Sequence, residues 1–258
     1  MTVSDAPLYL SDVTLCAVTS VNVDATVRAL QACLDQITFA DCILLTDAEL
    51  ELSDPRIRIE RIARLRTSEA YSDFILTALL DYIATGHCMV VQWDGHVLDA
   101  RRWRPEFLDY DYIGASWPQF SDGYDVGNGG FSLRSSRLME ACRSAQFKRS
   151  HPEDIAIGRD NRAWLEKQGM RFPSGEIADL FSAERTGNPL TTFGYHGVFN
   201  MPRALGATEF WKIYSTLDSH STIGRDFWPL VRAVSTGSGG WFRALRMMAD
   251  RLGGGWHG

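Results

Sequence analysis

The chain has 258 residues, of which 45% are hydrophobic and 22% charged, enough apolar material for one large domain with a substantial core. Thirty-two acidic side chains against 26 basic ones leave a net charge of −6, which argues against a general nucleic-acid binder. Five cysteines, Cys16, Cys33, Cys42, Cys88 and Cys142, show no CxxC spacing and sit mostly in apolar runs, so they read as small core residues in a reducing cytoplasm. The start of the chain lacks the basic and apolar pattern of a secretion signal, and no apolar run approaches a membrane span. The expectation is a cytoplasmic protein, at most peripheral at the inner membrane face.

In chain order, residues 15–21 read as a first strand. Asn22 follows as a helix N-cap, and Val23, Val27, Leu30, Leu34 and Ile37 form the apolar face of a helix. Residues 41–47 make a second strand ending in Thr46-Asp47, and residues 56–62 alternate as a half-exposed third. A helix over 72–84 leads to Cys88-Met89-Val90-Val91, an unbroken apolar run that suits a central strand covered on both faces. The order predicts an α/β fold with a mostly parallel central sheet flanked by helices.

Residues 99–134 then change texture, with Trp103, Tyr110, Tyr112, Trp117 and Tyr124 interleaved with Gly, Pro and Asp. Such a stretch is read as a binding surface. Helices resume near Ser136 and Pro152. The expected division is a Rossmann-like domain over 1–200 and a short helical C-terminal extension over 201–258. That extension packs on the domain or a partner and ends in glycines at 253–255. Its segment from Trp241 to Leu252 is basic and amphipathic, which fits docking on the domain or peripheral contact with an anionic membrane.

No Walker loop is present, and no G-x-G-x-x-G follows the first strand, so a dinucleotide fold is not expected. Ligands of open α/β sheets collect beyond the carboxyl ends of the strands. Asp94, after the central strand, therefore stands where chemistry is expected, although an acidic turn residue there needs no function.

Six segments in this order carry a more specific resemblance: Val18-Thr19-Ser20-Val21, Val91-Gln92-Trp93-Asp94-Gly95, Tyr110-Asp111-Tyr112-Ile113-Gly114-Ala115, residues 127–135, His151-Pro152-Glu153-Asp154 and Phe193-Gly194-Tyr195-His196-Gly197. Together they resemble the GT-A class of glycosyltransferases. More closely, they are similar to a bacterial and fungal family of inferred glycosyltransferases catalogued as a domain of unknown function.

The resemblance implies a GT-A-like fold and transfer of a sugar from a nucleoside-diphosphate donor to a hydroxyl acceptor, a glycan or lipid-linked glycan. In that class an acidic turn holds Mn²⁺ or Mg²⁺ against the diphosphate. Here the triplet is Gln92-Trp93-Asp94, with an amide in place of the first acid, so metal independence and retention stay open as rivals. His196 matches a late histidine that completes the metal shell, against the plainer reading of a structural loop histidine. His87 and His96 read as structural.

Asp154 matches the general base of inverting enzymes, with Glu153 orienting acceptor or donor. Proline followed by two acids is equally what a helix start favours. Thr19 and Asp47 match the nucleoside end of the site. Asn128, in the loop Gly127-Asn128-Gly129-Gly130, suits sugar hydroxyls, and Arg134 either reaches a phosphate or ends a strand. Trp93, Tyr112 and Trp117 could stack on sugar or base, or fill the core. The alternative function is a catalytically degenerate GT-A domain that binds a glycan or nucleotide sugar, or docks a partner.

Overall fold

A computed structural model describes residues 8–253. In chain order the first half comprises β1 (Leu8–Thr19), α1 (Val23–Leu34), β2 (Ile37–Thr46), β3 (Arg58–Arg61), α2 (Ser68–Thr77), β4 (His87–Val91) and β5 (His96–Val97). The short strands β6 (Tyr112–Ile113), β7 (Ala115–Ser116) and β8 (Val126–Gly127) precede β9 (Phe131–Ser135) and α3 (Ser136–Cys142). Then come α4 (Glu153–Ile155), α5 (Arg162–Lys167), α6 (Gly175–Phe181), β10 (Ser182–Ala183) and β11 (Gly194–Tyr195). Four helices close the chain: α7 (Met201–Leu205), α8 (Ala207–Tyr214), α9 (Phe227–Val234) and α10 (Gly240–Leu252). Of the glycine-rich end read at 253–255, all but Gly253 lies outside the described residues.

The molecule is an α/β protein built on a six-stranded sheet of order β3-β2-β1-β4-β9-β6. Three pairings, β3–β2, β2–β1 and β1–β4, are parallel, as the sequence order predicts. The other two, β4–β9 and β9–β6, are antiparallel, so the sheet is mixed rather than mostly parallel. The reason lies in the connection after β4. No single helix carries the chain back across the sheet, and without such a crossover the next long strand returns in the opposite sense. Val91, the last residue of β4, consequently faces Phe131, the first of β9. That pairing brings the turn after β4 and the glycine-rich loop before β9 to one edge.

The unbroken apolar runs are explained by burial on two faces. Leu15, Ala17, Leu44, Met89 and Val91 pack on one side with Val27, Leu30 and Cys33 of α1. Cys16, Val18, Ile43, Leu45, Cys88 and Val90 pack on the other with Ile75 of α2. All five cysteines are free and buried, and burial pushes the thiols of Cys33 and Cys142 up to about 12. All five are core residues, and the thiols of Cys33 and Cys142 stay protonated at neutral pH.

Two local expectations are corrected. Asn22 does not cap α1 with its side chain: it is left-handed (φ 53°), and its Oδ1 accepts from the backbone N–H groups of Asp218 (3.1 Å) and Ser219 (2.9 Å). Asparagine tolerates that conformation, and the amide is used to clamp the C-terminal segment to the β1–α1 turn. The second helix starts at Ser68 rather than Ser72, because Thr67 Oγ1 accepts from Ala70 N–H, and it tightens to a 3₁₀ turn over Leu79–Tyr82.

The aromatic stretch 99–134 is divided between core and surface, with Trp103, Tyr110 and Tyr124 half-buried and residues 118–123 largely exposed. Tyr112 and Trp117 are buried, and Trp103 sits edge-on to Phe107 and Phe193 at 5.4 and 5.2 Å. The C-terminal helices share a core with the sheet end, since Phe210, Tyr214, Phe227 and Leu230 cluster with Trp93, Ala183 and Tyr195. Trp93 is thus a packing residue too. Among the described residues no helix is long and apolar enough to cross a membrane.

Candidate functional site

At the carboxyl edge of the sheet the turn after β4 closes with Gly95 N–H donating to Gln92 O (3.0 Å). A Cβ on Gly95 would stand 2.8 Å from Tyr195 O, so only glycine lets β11 pass this close. That approach places His196, the residue after β11, over the turn. Its Nε2 is 3.3 Å from Gln92 Oε1 and 3.5 Å from Asp94 Oδ1. Its Nδ1 is 3.3 Å from Glu184 Oε1. Asp94 is 5% exposed, and its Oδ1 makes an ion-pair approach to His196 but no hydrogen bond. Burial opposes a charge on the imidazole, yet the carboxylates of Asp94 and Glu184 outweigh it and push His196 up to about 10.

Gln92 is itself oriented, its Nε2 donating to Tyr71 Oη (3.0 Å). The Gln92-Asp94-His196 set therefore converges on one point, the nitrogen Nε2. Glu184 was not singled out in the sequence. A carboxylate on the far nitrogen of a histidine fixes its tautomer and orientation, and the only sequence signal for it is an acid 12 residues before His196.

The glycine-rich loop forms the wall beside this cluster. Asn128 is left-handed (φ 73°), with Oδ1 accepting from Gly130 N–H (3.1 Å) and Nδ2 donating to Ser182 Oγ (3.4 Å). At 2% exposure its side chain braces its own loop rather than offering itself to a sugar hydroxyl. The bare glycines are likewise filled by the protein. A Cβ on Gly130 would collide with the His196 ring, and one on Gly129 with the Glu153 carboxylate.

Gly130→Ala is therefore expected to push His196 off the turn and destabilise the fold by about 1–3 kcal/mol, the usual range for overpacking. Urea denaturation of the variant measures this. Wild-type stability there would show that the loop does not hold the ring.

Glu153 and Asp154 open α4 and divide sharply in environment. Glu153 is buried: Oε1 accepts from Arg134 Nη2 (3.2 Å), and Oε2 accepts from Ser72 Oγ (3.0 Å). With both oxygens engaged inside the protein, Glu153 holds the loop and its neighbour in place. Arg134 is 1% exposed and reaches no open phosphate position; it also donates to Ser132 Oγ (3.1 Å) and Gly129 O (3.3 Å).

Asp154 is half-buried. Its Oδ1 accepts from Ile155 N–H (2.8 Å) and its Oδ2 from Gly129 N–H (3.3 Å). Burial first, and the Glu153 carboxylate second, push Asp154 up from 3.8 to about 6. A carboxylate titrating near neutrality is what a general base needs.

Thr19 and Asp47 stand on the same edge of the sheet, at the ends of β1 and β2, one and two strands from β4. Thr19 Oγ1 bonds the backbone of Val21, whereas Asp47 Oδ1 is buried without a hydrogen-bond partner. His96 is buried with Nδ1 donating to Val97 O (2.8 Å), and burial drives it down, as it does His87; both are structural. Among the described residues no group of three or more His, Cys, Asp and Glu is arranged as a metal shell.

What the fold and this edge define is an α/β protein whose mixed sheet gathers an acid–histidine–amide cluster and a separate, raised carboxylate beside one glycine-rich loop. Residues 56–196 match the family described as Protein of unknown function (DUF5672), and the chain belongs to that family. The match takes in Asp94, Asn128, Glu153, Asp154 and Glu184 and ends at His196; Thr19, Asp47 and the C-terminal helices lie outside it. No curated protein matches the chain.

Proposed function

We propose that the protein is a GT-A-like glycosyltransferase that moves a sugar from a nucleoside-diphosphate donor to a hydroxyl acceptor with inversion. The observation that carries the reading is the pairing of roles across one loop. Asp154, poised near 6, is hydrogen-bonded to Gly129, while Gly130 packs on His196 of the Asp94 cluster. Parallel strands ending at this edge, joined by an antiparallel β9 that carries the loop, suit a GT-A arrangement.

In this reading the acceptor hydroxyl gives its proton to Asp154 as its oxygen attacks the anomeric carbon. The bond from that carbon to the diphosphate breaks with the electron pair leaving on phosphate. One base and no covalent carboxylate intermediate means inversion. Thr19 and Asp47 are the candidates for the nucleoside end, and the acceptor would be a glycan or lipid-linked glycan. Glu153 and Asn128 contribute by holding the loop.

A divalent cation would have to replace the proton that the Asp94 and Glu184 carboxylates hold on His196. Asp94 Oδ1 is buried and lacks a hydrogen bond, Gln92 Oε1 faces the same nitrogen, and oxygen plus imidazole is a donor set that Mn²⁺ accepts and Mg²⁺ tolerates. Asp94, His196 and Gln92 would hold it, with Glu184 orienting the imidazole. Bound there, it supplies positive charge against the departing diphosphate.

The test is a thermal-shift screen against UDP-, GDP-, CMP- and dTDP-sugars, each with and without Mn²⁺. One donor is expected to raise Tm by roughly 5–10 °C at a hundredfold excess over its Kd. Asp94→Ala should lose most of that shift. Silence from every donor would leave the domain as a binding or docking module without transferase chemistry.

A further inference from the structure

The last helix, α10, is apolar on two sides. Gly240, Ala244 and Met247 face inward, and Met247 joins the core formed with Phe227 and Leu230. The second side faces out. At about 100° per residue, Trp241, Leu245 and Leu252 fall in one narrow sector with Phe242 at its margin. These four side chains are 70%, 53%, 89% and 56% exposed, and Trp228 of α9 is 66% exposed. Of the eight large hydrophobic side chains exposed among the described residues, five therefore lie on two adjoining helices. Scattered exposed apolar residues need no explanation, but a concentration of this kind marks an interaction face.

Charge selects the partner. Residues 227–253 carry Arg232, Arg243, Arg246 and Arg251 against the single acid Asp250, a net +3 within a chain of net −6. Arg246 sits at the edge of the apolar sector, 63% exposed even while it pairs with Asp250 at 2.8 Å. On α10 Arg243 lies on the far side, donating to Ser238 O (2.7 Å), and Arg251 stacks over the Phe227 ring at 4.3 Å, so the cation at the edge of the stripe is Arg246. An apolar stripe led by tryptophan and phenylalanine on a net-positive pair of helices is the pattern of a helix that lies in a lipid headgroup layer. A second copy of the chain would bring two such positive faces together, which like charge disfavours.

We infer that α9 and α10 seat the protein on an anionic phospholipid surface. Trp241, Phe242, Leu245 and Leu252 enter the headgroup boundary, and Arg246 at their edge meets lipid phosphate. The shared core with Trp93 and Tyr195 joins this face to the turn that carries Asp94 and to the end of β11, where His196 follows. The inference does not depend on the proposed transferase activity.

Co-sedimentation of the full chain with phosphatidylglycerol–phosphatidylcholine vesicles tests it. Partition onto the mixed vesicles is expected to fall about tenfold or more at high salt, in pure phosphatidylcholine, and in a Trp241→Ser, Leu245→Ser double variant. Both positions are exposed, so the variant should keep the wild-type Tm, which serves as its folding control. Absence of partition onto the mixed vesicles, equal partition onto neutral ones, or undiminished partition of the variant overturns the inference. A concentration-dependent dimer in sedimentation, lost in the variant while vesicles bind neither protein, would instead assign the face to a second copy.

Discussion

Asp154→Asn is expected to reduce sugar transfer by about 10²–10⁴-fold while leaving donor binding intact, because a positioned general base contributes on that scale. The asparagine amide keeps one acceptor oxygen, which serves one of the Ile155 and Gly129 N–H groups in place of two, and it cannot take a proton. A loss confined to kcat, with an unchanged thermal shift from the donor, is the signature of a group that acts on the acceptor. The acid limb of the wild-type rate should follow the same carboxylate. On the proposed mechanism protonated Asp154 cannot act as base, so activity is expected to rise with pH through about 6 and to level above it. A variant that turns over at the wild-type rate would remove Asp154 from the mechanism.

The same carboxylate has a cost in stability, and its sign is fixed. Its folded-state pKa, about 6, lies above the ordinary 3.8. The folded state is thus favoured fully below about 4 and loses that advantage as pH rises through 6. The penalty for holding the charge at neutral pH is on the order of 2–3 kcal/mol. Asp154→Asn should therefore melt above the wild type at pH 8, with the gap closing between about pH 6 and 4. A stabilised but inactive variant is the expected mark of a group held charged for chemistry rather than for folding.

How much of this was legible depended on whether the signal was local. The apolar run Cys88-Met89-Val90-Val91 led correctly to a strand buried on two faces, since nothing outside it was needed to see the lack of alternation. β1 was read from residue 15, whereas it begins at Leu8. Its first half alternates between exposed and buried positions, and its register with β2 shifts between Leu10 and Thr14. The adjacency of Asp94, His196, Asn128 and Asp154 rests on the antiparallel β4–β9 pairing and on β11 passing Gly95, neither of which a local pattern contains. Glu184 and the partners of Glu153 were invisible for the same reason: Arg134 is 19 residues from Glu153, and Ser72 is 81. The absence of side chains at Gly129 and Gly130 makes room for Glu153 and His196, which no local pattern announces.

Arg134→Met should give the largest loss of stability in the molecule, about 3–5 kcal/mol by urea denaturation. The guanidinium is almost wholly out of water, and although burial opposes its charge, the Glu153 carboxylate paired with it at 3.2 Å favours that charge. Removing it strands Glu153 as an unpaired buried anion, while Ser132 Oγ and Gly129 O lose a donor. Glu153→Gln in the same chain removes the stranded charge, so the double variant should recover part of the loss; single losses that simply add would show that the two do not act as a pair. The consequence reaches the proposed base. Arg134 lowers the Asp154 pKa and Glu153 raises it, so losing the arginine alone leaves both influences pushing upward. The acid limb of activity in Arg134→Met should then move above pH 6 and return toward it in the double variant. A purely structural Arg134 would change the melting temperature and leave that limb in place.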